Sequence, residues 1–296
     1  MVYRRLGPWS LALGVLIGFG SSPCQAVPIA LTGFVEKDFD PTVGDPLKGG
    51  VRVEQVTPNP STIGQSEWIS QKGWVSGWNV KDIRFSYDAA KDVLYVGVNT
   101  WANANGQYAP FGQANGDPTG AAQPYDPSHL GANDPTSDKS VALAFATYNK
   151  SDPTIPGNAV AIAGVPADKS LNGPGINGYT VSTIDTSRAD GGLGYMFGSP
   201  LPQNTGDLAF DPTPSHPQLE FSVANFSKLV DPKQGFWVAG YAGSGLDGVA
   251  GEANMGWRYI GPLAEQVIPE PATVMAWTLV CGALVLRARS RKSAKA

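Results

Sequence analysis

The chain has 296 residues with only 16% charged side chains, and it contains 36 glycines and 25 prolines. This composition favours short strands joined by many turns over a helical protein. Residues 27–268 hold 14 of the 21 basic and 24 of the 25 acidic residues, which gives this segment a net charge of −10. Such a segment repels phosphate backbones, so nucleic acid is not expected as a partner. Both cysteines, Cys24 and Cys281, lie outside it, which excludes a disulfide framework and cysteine-ligated metal sites within it.

The first 26 residues have the three regions of a secretion signal. Arg4 and Arg5 supply a positive start, and the apolar stretch 10–20 is too short to span a bilayer. Small side chains then precede a cleavage point after Ala26. We therefore expect export by the Sec machinery and cleavage by signal peptidase after Ala26. The alternative is a buried N-terminal helix.

The central segment, residues 27–268, is predicted to be one domain built from strands. Apolar and polar residues alternate over 82–87, which is typical of a half-buried strand. Residues 88–92 form a turn, and 93–98 are apolar on both faces, as in a central strand. Further strands are predicted at 32–37, 51–56, 140–148, 158–165, 178–184, 218–224 and 236–240, with one helical turn at 225–229. The fold class is all-β, an antiparallel, jelly-roll-like β-sandwich.

A long loop, residues 102–138, interrupts this pattern with a composition rich in Asn, Gly, Pro, Gln and Ala. A connection of this length is usually functional or disordered, and we interpret it as a flexible insertion. Asp-Pro occurs eight times along the central segment. We interpret these dipeptides as turns, because proline fixes φ and aspartate bonds nearby backbone, with scattered Ca²⁺ ligands as the alternative.

Few residues point to chemistry. His129 and His216 lie in proline-rich loops and are expected to be exposed. No nucleophile elbow, zinc-protease helix or Walker A loop occurs in the sequence. The glycine-rich stretch 240–251 has no strand–glycine–helix context, so we do not expect it to bind phosphate. Asp247 and Glu252 share a glycine-rich loop that is either a Ca²⁺ site or a simple acidic turn. No other cofactor is expected.

Three tryptophans, Trp74, Trp78 and Trp101, lie near the predicted hairpin. Aromatic faces stack on sugars, so these residues are candidates for carbohydrate binding, and packing in the core is the alternative.

The C-terminus has three parts in strict order. Pro269, Glu270 and Pro271 come first, followed by the uncharged stretch 272–286 and the basic tail 287–296. As a helix the stretch would be about 22 Å long, against about 30 Å for a hydrocarbon core, so it predicts one short transmembrane helix. The basic tail should stay cytoplasmic, which places the central domain on the opposite side of the membrane.

This three-part order over residues 268–296 resembles the PEP-CTERM sorting domain of exported bacterial proteins. The resemblance implies that an exosortase, a membrane enzyme, reads the Pro-Glu-Pro motif and cleaves near it, in a system that often accompanies exopolysaccharide production. It further implies a precursor anchored in the inner membrane that ends at the cell surface or in the extracellular matrix. A permanent single-span anchor is the alternative.

The hairpin 85–98, the strand 219–223 and the stretch 242–247 also resemble carbohydrate-binding sandwiches of the family 9 module and DOMON type. This resemblance implies no particular ligand residue. With the absent catalytic motifs, it favours a non-enzymatic surface or matrix protein that binds extracellular polysaccharide. One alternative is a secreted glycoside hydrolase, whose mark would be two carboxylates facing each other in a cleft. The other is a purely structural envelope protein.

Replacing Glu270 with Ala tests the tail. We expect uncleaved precursor to accumulate in the membrane fraction, because the motif read by the sorting enzyme is lost. Immunoblotting of cell fractions and mass spectrometry of both mature termini measure this. Glu265→Ala, which removes the nearest upstream carboxylate, should be processed normally. Normal processing of Glu270→Ala would contradict the sorting interpretation and favour a plain anchor.

Overall fold

The computed structural model describes residues 29–57, 75–112, 139–173, 178–210, 213, 215–244 and 253–264. Within these residues, eleven strands and short helical turns form the fold. The strands are β1 Arg52–Gln55, β2 Val80–Asp88, β3 Val93–Thr100, β4 Lys139–Tyr148, β5 Pro156–Val165, β6 Thr180–Ile184, β7 Phe197–Pro200, β8 Thr205–Ala209, β9 Leu219–Ala224, β10 Phe236–Ser244 and β11 Ala253–Ile260. The single α-helical turn is α1 Val35–Asp38, and 3₁₀ turns occur at Lys169–Leu171, Thr186–Gly191, Leu193–Tyr195 and Phe226–Lys228.

The strands form two antiparallel sheets, which confirms the predicted β-sandwich. The first sheet has the order β1-β2-β3-β9-β8, and the second has the order β11-β10-β4-β5-β6-β7. Hairpins join neighbours such as β2 with β3, while β3–β9 and β4–β10 are pairs distant in sequence. These two distant pairs lie at the centre of their sheets, so the middle of the sandwich is built from long-range contacts.

The core lies between the sheets, and it follows from the period-two pattern of the strands. Phe85 of β2, Phe145 of β4 and Phe236 of β10 are completely buried, and Phe226 joins them from the turn after β9. The ring centroids of Phe226 lie 5.5 Å from Phe145 and 5.0 Å from Phe236 in edge-on contacts, a favoured aromatic geometry.

Most predicted strands are confirmed within a few residues: those at 51–56, 82–87, 93–98, 140–148, 158–165, 178–184, 218–224 and 236–240. The helical turn at 225–229 is confirmed as a 3₁₀ turn. The strand predicted at 32–37 is wrong, because this segment forms the turn α1. The strands β7, β8 and β11 were not predicted; each lies at the edge of its sheet.

The polar face of β2 is buried, so the prediction of a half-buried strand is also wrong. Asp82, Arg84 and Ser86 point away from the core, yet Arg84 is only 4% exposed. Residues 29–50, which we call the strap, cover this outer face of the first sheet. Val35 and Phe39 of the strap pack over β3 at a position where the sheet has no side chain, Gly97.

The beginning of the long loop is packed against the domain. Ala109 and Phe111 are buried, and the Phe111 N–H donates to the Pro217 carbonyl at 2.6 Å. The remainder of the loop, residues 113–138, lies outside the described residues, as do the predicted signal peptide and the C-terminal segment 269–296. Among the residues that are described, no helix has the length and apolar character needed to cross a membrane.

Replacing Gly97 with Ala should loosen the strap. An added Cβ would lie 2.9 Å from Val35 Cγ1 and 3.0 Å from Phe39 Cδ2, closer than such contacts allow. We expect the free energy of unfolding to fall by about 1–3 kcal/mol, as for other overpacked sites. Denaturant titration measures the change.

Gly256→Ala is the matched control, since a Cβ at this strand position meets no atom within 4 Å. It should leave stability unchanged or slightly raised. Equal behaviour of the two variants would show that the strap does not pack on Gly97.

Candidate functional site

The residues that the sequence singled out are not brought together among the described residues. Trp74, Asp247, Glu252 and the tail motif lie outside that part of the chain, as does Ala26. Trp78 is 6% exposed and packs against Phe111 with ring centroids 5.5 Å apart, so its faces are covered by protein.

Trp101 is half-buried at the end of β3 and has partners on two sides. Its Nε1–H donates to Thr57 Oγ1 at 2.9 Å, and Lys81 Nζ lies 5.6 Å from its ring centroid in a cation–π contact. These contacts tie the end of β3 to the start of β2, and the lysine occupies a ring face that a sugar would need.

The loop predictions are confirmed where the loops are described. His216 is exposed, and its ring nitrogen lies near only the hydroxyls of Thr213 and Ser215 among the described residues. The Asp-Pro dipeptides at Asp40, Asp45, Asp152 and Asp231 form turns. In each, the aspartate accepts a hydrogen bond from the N–H two residues later.

Among the residues that the structure describes, the largest group of interacting charges lies between the strap and the first sheet. Glu36 of α1 accepts from Lys81 Nζ at 2.7 Å and from Arg84 Nη2 at 2.6 Å. Arg84 also donates through Nε to Asp82 at 2.9 Å and through Nη1 to the Phe39 carbonyl at 2.7 Å. The strap and the sheet thus share one network of ion pairs.

These contacts decide the ionisation of Glu36. Burial disfavours the charged form, but hydrogen bonds from Lys81 and Asn99 and the charge of Arg84 outweigh it and lower the pKa of Glu36 to about 2. Because the pKa of Glu36 is lowered in the folded protein, its ion pairs stabilise the fold fully above the ordinary glutamate pKa of 4.5. This stabilisation is lost as pH falls towards 2. The network therefore holds the strap at neutral pH and fails in acid.

A second carboxyl under the strap is shifted in the opposite direction. Glu220 of β9 is 0% exposed, and its Oε2 accepts from the Gly33 N–H at 2.7 Å. The Asp38 carboxyl lies within hydrogen-bonding reach. Burial is the larger cause and the Asp38 charge adds to it; together they outweigh the Gly33 hydrogen bond and raise the pKa of Glu220 to about 8.

Glu220 and Asp38 are two facing acidic groups, but they do not line a cleft. The strap backbone covers Glu220, so a substrate has no path to it in this conformation. The arrangement is suited to holding the strap on the sheet rather than to transferring a proton to a ligand.

A small apolar cavity of about 20 Å³, partly open to solvent, lies between the sheets. Its lining includes Val80 and Val98 of the first sheet and Val141 and Ala242 of the second. It is lined almost entirely by apolar side chains, whereas ligand sites also present a few polar groups that orient the ligand. The cavity therefore offers no group for sugar recognition or acid–base chemistry.

Exposed aromatic residues gather at the β11 edge of the second sheet. Trp257 and Tyr259 lie two residues apart on this edge strand and are 37% and 39% exposed. The Tyr259 ring contacts Tyr148 of β4 and Trp237 of β10, with centroids 5.6 and 5.7 Å apart. We call these four residues the aromatic patch.

Sequence reasoning missed the aromatic patch. The signal for it is the pair of aromatic residues at alternate positions, Trp257 and Tyr259, which is typical of one face of a strand. This signal was not used because β11 was not predicted as a strand. Trp237 lies at the base of the patch, and its buried indole N–H has no acceptor among the described residues.

No group of three or more His, Cys, Asp or Glu side chains within the described ranges is arranged to hold a metal ion. Comparison with models of known families, with curated proteins and with solved structures gives no match. Proposals about function therefore depend on the geometry described above and on the sequence.

Proposed function

We propose that this chain is an exported, non-enzymatic protein of the cell surface or extracellular matrix whose sandwich domain binds extracellular polysaccharide. The aromatic patch is the observation that carries the proposal. Single exposed apolar residues occur on the surface of any protein. Exposed aromatic side chains that lie together on one strand are different, because such clusters mark interaction sites.

The chemistry of the patch suits a neutral sugar chain. Aromatic rings cover the apolar faces of sugars, and their polar atoms remain available for hydroxyl groups. The exposed rings of Trp257 and Tyr259 supply such faces, whereas the indole N–H of Trp237 is buried at the base of the patch. The central segment carries a net charge of −10, which a neutral polysaccharide tolerates and an anionic one does not.

The geometry gives less support to the rival functions. A glycoside hydrolase needs two carboxyl groups about 5–10 Å apart on either side of an accessible bond. Of the facing pair, Glu220 lies beneath the strap and Asp38 is part of the strap itself, so the two do not flank an accessible bond. A purely structural envelope role remains the outcome if the domain binds no glycan.

The proposed cellular location of the protein rests on the sequences of its two ends. In this proposal, signal peptidase cleaves after Ala26, and an exosortase reads Pro269-Glu270-Pro271 while residues 272–286 hold the precursor in the inner membrane. The processed protein then reaches the surface or matrix, where polysaccharide is the abundant ligand. We also propose that the strands of the sandwich are connected in a jelly-roll-like topology.

A glycan-array screen of residues 27–268, with and without Ca²⁺, tests binding. We expect neutral glycans to bind without being hydrolysed, and Trp257→Ala to weaken binding at least about tenfold, since one lost stacking contact of about 1.4 kcal/mol has that effect. Loss of binding without Ca²⁺ would instead point to the loop of Asp247 and Glu252.

Val43→Ala is the matched control, because Val43 is an equally exposed apolar residue on the strap. It should bind as the unaltered protein does. Hydrolysis of any bound glycan would contradict the non-enzymatic proposal, and equal loss in both variants would contradict the assignment to the aromatic patch. No binding at all would leave the structural role.

A further inference from the structure

We propose that Glu220 and Asp38 form a pH-sensitive latch, which holds the strap on the first sheet in mildly acidic surroundings and loosens it as pH rises. This inference concerns a different face of the domain from the aromatic patch and does not depend on polysaccharide binding.

The latch has a definite place in the fold. Glu220 lies on the outer face of β9, opposite Gly97 of β3, whose missing side chain leaves space for the strap. Its Oε2 accepts from Gly33 N–H at 2.7 Å. Its neighbour on the same face, Gln218, accepts from Val35 N–H at 2.8 Å. Two strap amides are thus held by one side chain of β9 and one side chain just before it.

The other oxygen of Glu220 requires a proton. Oε1 is buried, and when both carboxyls are ionised it has no hydrogen-bond donor among the described residues. Asp38, which lies within reach, also only accepts when it is ionised. A proton on Glu220 removes the conflict, because Oε1–H then donates to the Asp38 carboxylate and Oε2 still accepts from Gly33.

Asp38 connects this proton to the strap itself. Its Oδ2 accepts from Thr32 N–H at 3.1 Å and from the Thr32 hydroxyl, which closes the segment 32–38 into a loop. When Glu220 loses its proton to water, its buried carboxylate faces the half-buried carboxylate of Asp38. The repulsion is relieved by letting water in, which requires residues 32–35 to lift from β9.

The charged groups around the latch do not cancel this repulsion. Glu36 on α1 adds a further negative charge, and it already occupies Arg84 and Lys81 of β2. His216 lies beside Gly33 from the loop before β9, with its Cβ 3.2 Å from where a Gly33 Cβ would be. No basic side chain among the described residues donates to Glu220.

The direction of the pH dependence follows from the raised pKa of Glu220, about 8 in the closed strap against 4.5 for an ordinary glutamate. Closing the strap takes up a proton over this range, so the closed state loses stability as pH rises through it and levels off above about 8. The hydrogen bonds of Glu36 keep the rest of α1 attached, and the opening is confined to residues 29–35, of which only Val35 belongs to α1.

Amide hydrogen exchange of the full-length chain, purified in detergent and corrected for intrinsic exchange rates, tests the latch. Protection at Gly33 and Val35 should fall by up to about tenfold per pH unit between about 4.5 and 8, then level off. The amides of Leu143 and Ala144 in the central strand β4 serve as an internal reference and should show no such change.

Glu220→Gln is the matched variant, because its amide donates to Asp38 and accepts from Gly33 as the protonated glutamate does. It should keep high protection at every pH. Asp38→Asn removes the charge that faces Glu220. In this variant the loss of protection at Gly33 and Val35 should therefore level off at a lower pH than in the unaltered chain. If Glu220→Gln does not fold, Asp38→Asn is the variant that tests the latch. A flat profile in the unaltered chain, an unchanged slope in Glu220→Gln or an unchanged profile in Asp38→Asn would overturn the proposal.

Discussion

The buried charge of Arg84 is the constraint on which the outer half of the structure depends. A guanidinium cannot be deprotonated in a protein, and taking it out of water is costly unless its donors are satisfied. β2 places Arg84 on a face that the strap then covers. Asp82 on the same strand, Glu36 of α1 and the Phe39 carbonyl supply the acceptors. The strap is therefore part of the first sheet's electrostatics rather than a loose N-terminal extension.

The strap is held by two carboxyls that respond to pH in opposite ways. Glu36 is stabilised as a carboxylate by its cationic neighbours, so it holds the strap above the ordinary glutamate pKa. Glu220 is stabilised as an acid by burial and by Asp38, so it holds the strap below its raised pKa. The combination gives firmest closure in mildly acidic conditions.

The sequence predicts the sandwich well because its central strands are long and carry clear patterns, alternating in β2 and apolar on both faces in β3. The edge strands β7, β8 and β11 were missed because they are interrupted by glycine or proline or have residues exposed on both sides, so no period-two pattern appears. The segment 32–37 was mistaken for a strand because Val35 and Phe39 are buried from a helical turn, at a spacing of four. Alternation also cannot tell a solvent-exposed polar face from one covered by a distant segment, which is why Arg84 and Glu220 drew no attention. The strap residues that cover Arg84 and Glu220 lie far from them along the chain.

A double-mutant cycle between Glu36 and Arg84 tests most directly whether ion pairing fastens the strap to the sheet. Glu36→Gln, Arg84→Met and the double variant are unfolded in denaturant at pH 7, and the coupling energy is taken from the four free energies of unfolding. The direct contact at 2.6 Å predicts a coupling of about 2 kcal/mol, at the upper part of the range for contacting buried groups. Additive losses, with a coupling below about 0.5 kcal/mol, would contradict the account and leave apolar packing of Val35 and Phe39 as what holds the strap.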